Sequence, residues 1–279
     1  MSLRTRAARL AASAAITAIL AVTAGGCSLT SRDTTASVAA QTPTNEAEWR
    51  RSLDALGAKY RENPNDADAA IAYARALRAT DQRAQAVAVL EQASIRNPRY
   101  LPLIGAYGRA LADVNQYKQA LETLDRAHSP DNPDWRILNV QGAVLDQMGR
   151  HNEAQAHYAA ALKIIPDEPS VLSNLGLSYL LTKDLAKAED TLRRAVAQPN
   201  AGPKVRQNLA LAVALRGRFD EAEKIASADL PEAEAAANVN YLRQMMAQAQ
   251  QQQQQQQRPR SLKKVGRATT PIPTPDAGS

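Results

Sequence analysis

One cysteine, Cys27, stands in 279 residues, which excludes an intramolecular disulfide and any cysteine zinc cluster. Histidine is nearly as scarce, with only His128, His151 and His157. The last two are six residues apart and fall on different faces of a continuous helix. His128 sits beside the turn SPDNP and has no partner in sequence, so surface or helix-end roles are expected and no metal ligand set is. There is no HExxH, no phosphate-binding glycine loop and no GxSxG. Adjacent carboxylates such as Glu189 and Asp190 have the spacing of exposed helix decoration. Neither catalytic residues, a cofactor nor a small-molecule substrate is therefore expected. Strand-type alternation of Val, Ile and Thr is missing between residues 45 and 247, where Ala, Leu, Gln, Arg and Glu dominate. A uniformly basic face is missing too. The formal charge is +6, but Arg4, Arg6 and Arg9 lie at the start, and Arg258, Arg260, Lys263, Lys264 and Arg267, against Asp276 alone, lie at the end. The body between them carries a net charge of −1, so nucleic acid is not an expected partner.

An apolar run long enough to span a membrane is also lacking. Residues 10–24 are uncharged and largely apolar, short of the ~20 residues a helical span needs, yet they have the length of a secretory h-region behind a positive start. The small residues Ala24, Gly25 and Gly26 then precede Cys27. This stretch resembles the lipobox of bacterial lipoproteins, which implies that residues 1–26 are a signal peptide and that the thiol of Cys27 carries a diacylglycerol. Ala24 departs from the Leu usual at its place, and a plain secretory signal cut nearby is the alternative. Ser28 rather than Asp follows the cysteine, so the resemblance implies the periplasmic face of the outer membrane and a lipid membrane as the first partner. Residues 28–44, rich in Ser, Thr and Ala, read with Cys27 as a flexible tether (27–44). Its reach is at most ~56–60 Å extended and roughly 20–25 Å as a coil.

What the chain does have is a period. Ala86, Ala120, Ala154, Ala188 and Ala222 are each 34 residues apart; so are Ala93, Ala127, Ala161 and Ala195, and Ala74, Gly108, Gly142, Gly176 and Ala210. Prolines 64, 98, 133, 166, 199 and 231 punctuate the same interval and stop helices, having no N–H to donate. Five units follow, 67–100, 101–134, 135–168, 169–202 and 203–236, which resemble the tetratricopeptide repeat. An all-α solenoid of helix–turn–helix units is thus expected. Within a unit, the small residues mark close helix crossings, Gly176 with Ala188 being such a pair, while Leu172, Leu175, Tyr179 and Leu192 supply apolar bulk at helical spacing. The tyrosines and Trp135 fall at or next to packing positions. The pattern decays in the fifth unit, where Arg206 and Val213 replace larger apolar groups and Asp229 replaces the late alanine. Residues 45–66 are expected to form an N-terminal capping helix and residues 237–250 a C-terminal capping helix. Residues 251–279, glutamine-rich and then basic and proline-rich, are expected to be a disordered tail, with extension of the last helix by a turn or two into the glutamines as the alternative.

Function must then lie on the solenoid's surface. The repeat family lines its concave groove with helix A positions two, five, nine, twelve and thirteen. Carried onto this chain, the early groove holds Ile71, Arg75, Arg78 and Arg109, the middle Asn139, Asp146 and Gln147, and the late groove Leu177, Leu180, Leu181, Leu211 and Leu215. Ile71 and Arg75 disfavour a chaperone-type clamp, which wants Lys and Asn there. Leucines at that density are expected to form an exposed apolar patch that takes a partner's apolar peptide. The alternative is that residues 232–250 fold over them as the final cap.

The phrases NLALAVALRGRFDEAEKIA and NVNYLRQM, with the five repeats and the lipobox, are similar to TadD-type lipoproteins of the tight-adherence (Flp) pilus system over roughly residues 45–247. That resemblance implies a non-enzymatic, pilotin-like assembly factor for an outer-membrane secretin. Two other readings stay open: a general envelope scaffold recruiting peptidoglycan enzymes, and a regulatory subunit of an envelope enzyme.

Overall fold

Five helices of 13 residues begin 34 residues apart, each joined by a short turn to a partner of 8 to 14 residues. A computed structural model of the chain describes residues 46–129 and 131–257; the signal peptide, Cys27, the tether and the tail from residue 258 lie outside the described residues. In chain order the helices are α1 (Glu46–Glu62), α2 (Ala67–Ala79), α3 (Arg83–Arg96), α4 (Leu101–Asp113), α5 (Tyr117–Leu124), α6 (Trp135–Gln147), α7 (His151–Ile164), α8 (Pro169–Leu181), α9 (Leu185–Val196), α10 (Pro203–Leu215), α11 (Phe219–Ala226) and α12 (Glu232–Gln257). No strand occurs among the described residues. The pairs α2/α3, α4/α5, α6/α7, α8/α9 and α10/α11 are the five repeats, and each helix packs chiefly on its neighbours in sequence. The fold is the all-α tetratricopeptide-repeat solenoid expected from the period.

Local chemistry sets the helix ends. Asp66, Asp134 and Asp184 accept from the backbone N–H of Ala69, Arg136 and Lys187, satisfying donors that the first turn leaves open. Pro102, Pro169 and Pro203 stand in first turns, where no N–H is needed. Each A helix ends the same way. Residues 81, 115, 149, 183 and 217, again 34 apart, all have φ between 61° and 83°. The next N–H then reaches back to a carbonyl five residues earlier, from Gln82 to Leu77, Gln116 to Leu111, Arg150 to Leu145, Asp184 to Tyr179 and Arg218 to Val213, at 2.7–3.2 Å. This is the Schellman ending, which favours Gly or Asn at the left-handed position. Gly149, Gly217, Asn115 and Asp81 suit it; Lys183 does not, and bears a Cβ penalty of ~1–2 kcal/mol there.

The crossings inside a unit are set by the eighth residue of helix A. A Cβ on Gly142 would lie 2.6 Å from Tyr158, and one on Gly176 2.5 Å from Leu192. The group that forbids the side chain is therefore the bulky residue sixteen positions on, rather than Ala188, with which Gly176 is paired in the sequence reading. Ala188 is itself fully buried. The apolar interior is a chain of clusters along the stack rather than one globule, as expected where each unit buries its face only on its neighbours.

Two features differ from the sequence reading. First, α12 does not stop at residue 250, the boundary drawn for the cap, but continues through Gln257, the extension into the glutamines given as the alternative; glutamine is a good helix former, and nothing that breaks a helix precedes Pro259. Second, α12 begins as the A helix of a sixth unit without a partner. Val239 extends the buried series Ala69, Leu103, Ile137, Val171 and Val205 by another 34 residues. The positions that would bury against a following helix hold Asn240, Gln244 and Ala247, all exposed, while Arg243 reaches back over the Phe219 ring of α11. A polar outer face of this kind closes a solenoid. At the other end α1 packs on α2, with Tyr60 stacked on Tyr73 at 5.9 Å.

Candidate protein-binding surface

The groove positions inferred from sequence fall into three kinds of surrounding. At the early end Arg78 pairs with Asp113 of the next repeat, and Ile71, Arg75 and Arg109 are half-buried. In the middle the polar groups are spent on holding repeats together. Asn139 is buried and accepts from Asn174 Nδ2 at 2.9 Å; one unit later Asn208 Nδ2 donates to Ser173 Oγ at 2.8 Å. Asp146 gathers His151 at 2.8 Å, Ser178 Oγ at 2.9 Å and the Tyr158 hydroxyl at 3.1 Å, so it ties α6 to its own partner helix and to α8. Burial raises the Asp146 pKa, and the three donors only partly pull it back. Of the middle set, Gln147 alone is exposed.

The late groove is not the open apolar patch expected from five leucines. Leu180 and Leu211 are 1% and 4% exposed, and Leu177, Leu181 and Leu215 are half-buried. Two packings account for it: α8, with Leu177 and Leu180, lies against α9 and α10, while α12 packs on α10 and α11 and brings Ala235, Val239, Leu242 and Met245 into the same apolar cluster as Leu211 and Leu215. The capping alternative thus accounts for the α10 part of that apolar surface. What stays accessible is a margin formed by Leu177, Leu181 and Leu215, with Met245 and Met246 of α12 also half-buried. Beside this margin an open cleft of about 680 Å³ lies between the turn at 183–186, the turn at 215–217, and Met246 and Gln250 of α12.

Three electrostatic arrangements were not read from the sequence. Glu189, assigned to exposed decoration, has a side chain only 7% exposed and accepts from Arg193 at 2.8 Å, Arg216 at 2.5 Å, and Arg218. Burial alone would raise its pKa; the three guanidiniums outweigh that and bring it to about 2. Arg193 and Arg218 also hold Glu221. In the fifth repeat the two departures from the pattern compensate one another, since Arg206 and Asp229 form a two-pronged ion pair. Third, His157 is half-buried against α5, with its pKa lowered by burial, raised by Asp125 and lowered by His128. Among the described residues no group of three or more His, Cys, Asp or Glu could hold a metal, and no helix is long and apolar enough to cross a membrane.

Comparison with known proteins agrees with this architecture. Residues 136–200 match the tetratricopeptide repeat family, and no curated protein matches the chain in sequence. Among solved structures, that of PilW, described as a widely conserved type IV pilus biogenesis factor, is similar with a TM-score of 0.60 and 17% identity, over 69% of this chain and 91% of that one. A chain of the APC/C hetero-tetramer Cut9–Hcn1 gives 0.58 and 16%, over 74% of this chain and 42% of that one. A human IFIT1 dimer with PPP-AAAA gives 0.54 and 16%, over 65% and 45%. The chain thus spans less than half the length of the second and third of these, and at such identities the likeness is one of fold. Helix order, period and family match together identify the chain as a tetratricopeptide-repeat solenoid, a fold that typically serves as a non-catalytic scaffold for protein interactions.

Proposed function

We propose that this chain is a lipid-anchored envelope protein whose solenoid binds a protein partner, and that it acts as a pilotin-like assembly factor for the secretin of a tight-adherence pilus. The observation that carries the protein-binding part is the half-buried margin of Leu177, Leu181 and Leu215 beside an open cleft. Apolar side chains left partly wet at the edge of a rigid scaffold are the usual floor of a peptide site. The pilus part is supported by the TadD-type phrases and by the likeness in fold to a type IV pilus biogenesis factor. The anchor is supported by the lipobox around Cys27. On this reading the acyl chain targets and the groove escorts.

The test is affinity capture of the acylated protein from outer membranes, with identification of what elutes. A secretin in the eluate, lost in Leu181→Glu while the melting curve is kept, supports the proposal. A secretin that elutes equally from the variant, or no secretin together with normal pili in a deletion strain, removes it. Cys27→Ser should leave the protein in the soluble periplasmic fraction; lipid labelling that persists in that variant contradicts the anchor.

A further inference from the structure

The glutamine run lies beyond the margin of Leu177, Leu181 and Leu215 and extends α12 past the length of the other A helices. Each of the five preceding A helices turns after its thirteenth residue. The equivalent point in α12 is residue 249, and the helix passes it for two more turns, to Gln257. Met246 and Gln250 line the 680 Å³ cleft. Gln253 and Gln254 follow at +7 and +8 from Met246, on the same side of the helix and exposed. Gln250 thus forms the edge of the cleft, and the run continues the same helix past it in place of the turn and second helix of a sixth repeat. Its side-chain amides both donate and accept, which suits the exposed backbone of an extended chain.

The opposite side of the cleft is positive. Asp184 is held by Lys187 at 2.8 Å, whereas Lys183 makes no ion pair among the described residues. Arg216, at the other turn, belongs to the cluster in which Arg193, Arg216 and Arg218 face only Glu189 and Glu221. That cluster carries one uncompensated positive charge. Between the positive rim and Gln250 the floor is Leu185, Ala186, Leu215 and Met246.

We infer that this cleft is a docking site for an extended segment of a partner protein in which apolar residues are followed by acidic ones. The apolar side chains lie on Leu185, Leu215 and Met246, the carboxylates face Lys183 and Arg216, and the segment's backbone is read by the glutamine face of α12. The inference deepens the protein-binding reading and rests on it.

The test uses the full chain and a fluorescein-labelled peptide, Gly-Ser-Leu-Val-Leu-Val-Asp-Glu-Gly, with a twin carrying Lys-Lys in place of Asp-Glu, followed by fluorescence anisotropy. The acidic peptide should bind saturably and about tenfold more tightly than its twin, with the gap closing at high salt. Lys183→Glu should reverse the preference, and Met246→Glu should weaken both peptides. Lys183 is exposed, so its replacement leaves the fold intact, and circular dichroism checks that. Equal binding of the two peptides, or an unchanged preference in Lys183→Glu, overturns the inference. So does self-association of the wild-type protein that Lys183→Glu abolishes, since a second copy would then be the occupant. Secretin capture by the same proteins is scored separately: capture retained in Lys183→Glu but lost in Leu181→Glu sinks the cleft and leaves the protein-binding function standing.

Discussion

Glu189 offers an electrostatic test whose pH dependence is fixed in advance. Glu189→Gln keeps the size of the side chain and removes the charge on which Arg193, Arg216 and Arg218 converge. Burial pushes the carboxyl pKa up, the three guanidiniums push it further down, and the net effect takes it from 4.5 to about 2. Because the folded value is depressed, the stabilisation is complete above about 4.5 and is lost as pH falls toward 2. The full shift is equivalent to ~3 kcal/mol at neutral pH. The guanidiniums are between 40% and 45% exposed, however, so water screens the attraction and about 1–2 kcal/mol is expected. Urea denaturation of both proteins by far-UV circular dichroism measures it, provided the two curves share one slope. Glu189→Gln should be less stable by that amount at about pH 7, by about half as much at pH 3, and indistinguishable near pH 2. The remaining carboxylates titrate in both proteins and cancel in the difference. A variant as stable as wild type at neutral pH refutes the reasoning, as does a deficit that persists undiminished in acid.

The other expectations concern packing. Gly142→Ala should destabilise by about 2 kcal/mol despite alanine's better helix propensity, because the new Cβ meets three atoms of the rigid Tyr158 ring at 2.6–2.9 Å; a rise in melting temperature would contradict that crossing. Asp229→Ala and Arg206→Leu should each cost about 1–3 kcal/mol by leaving a half-buried or buried charge unpaired. The double variant, which restores the apolar pair of the other repeats, should equal or exceed wild type. Additive losses in the double variant would show that the pair is incidental.

The repeat period was legible because each small residue that recurs at 34 marks a helix crossing, and no other local pattern competes with it. Which group each glycine makes room for was not legible. The packing of the two helices brings Leu192 rather than Ala188 nearest to Gly176. The late leucines were placed correctly along the solenoid but read as exposed, since their burial depends on packing between neighbouring helices, α8 on α9 and α10, and α10 on α12; Val239, one period beyond Val205, was the available signal that a sixth A helix follows. Arg206 and Asp229 were each noticed as departures, and taken together a cation and an anion replacing two apolar neighbours already imply a pair. The Glu189 cluster left no such trace. Its arginines reach across three elements, and at 4, 27 and 29 residues from Glu189 no single period relates them. The same holds for Asp146, whose partners on α7 and α8 turn a presumed groove carboxylate into an internal clasp.

The most direct test of the account is the state of the secretin in outer membranes of a deletion strain complemented with wild type, Leu181→Glu or Cys27→Ser. The account predicts secretin multimers with wild type, and their loss with both variants while circular dichroism shows the repeats folded. Multimers that form equally with Leu181→Glu would contradict the claim that the margin beside α12 is the working surface of this protein.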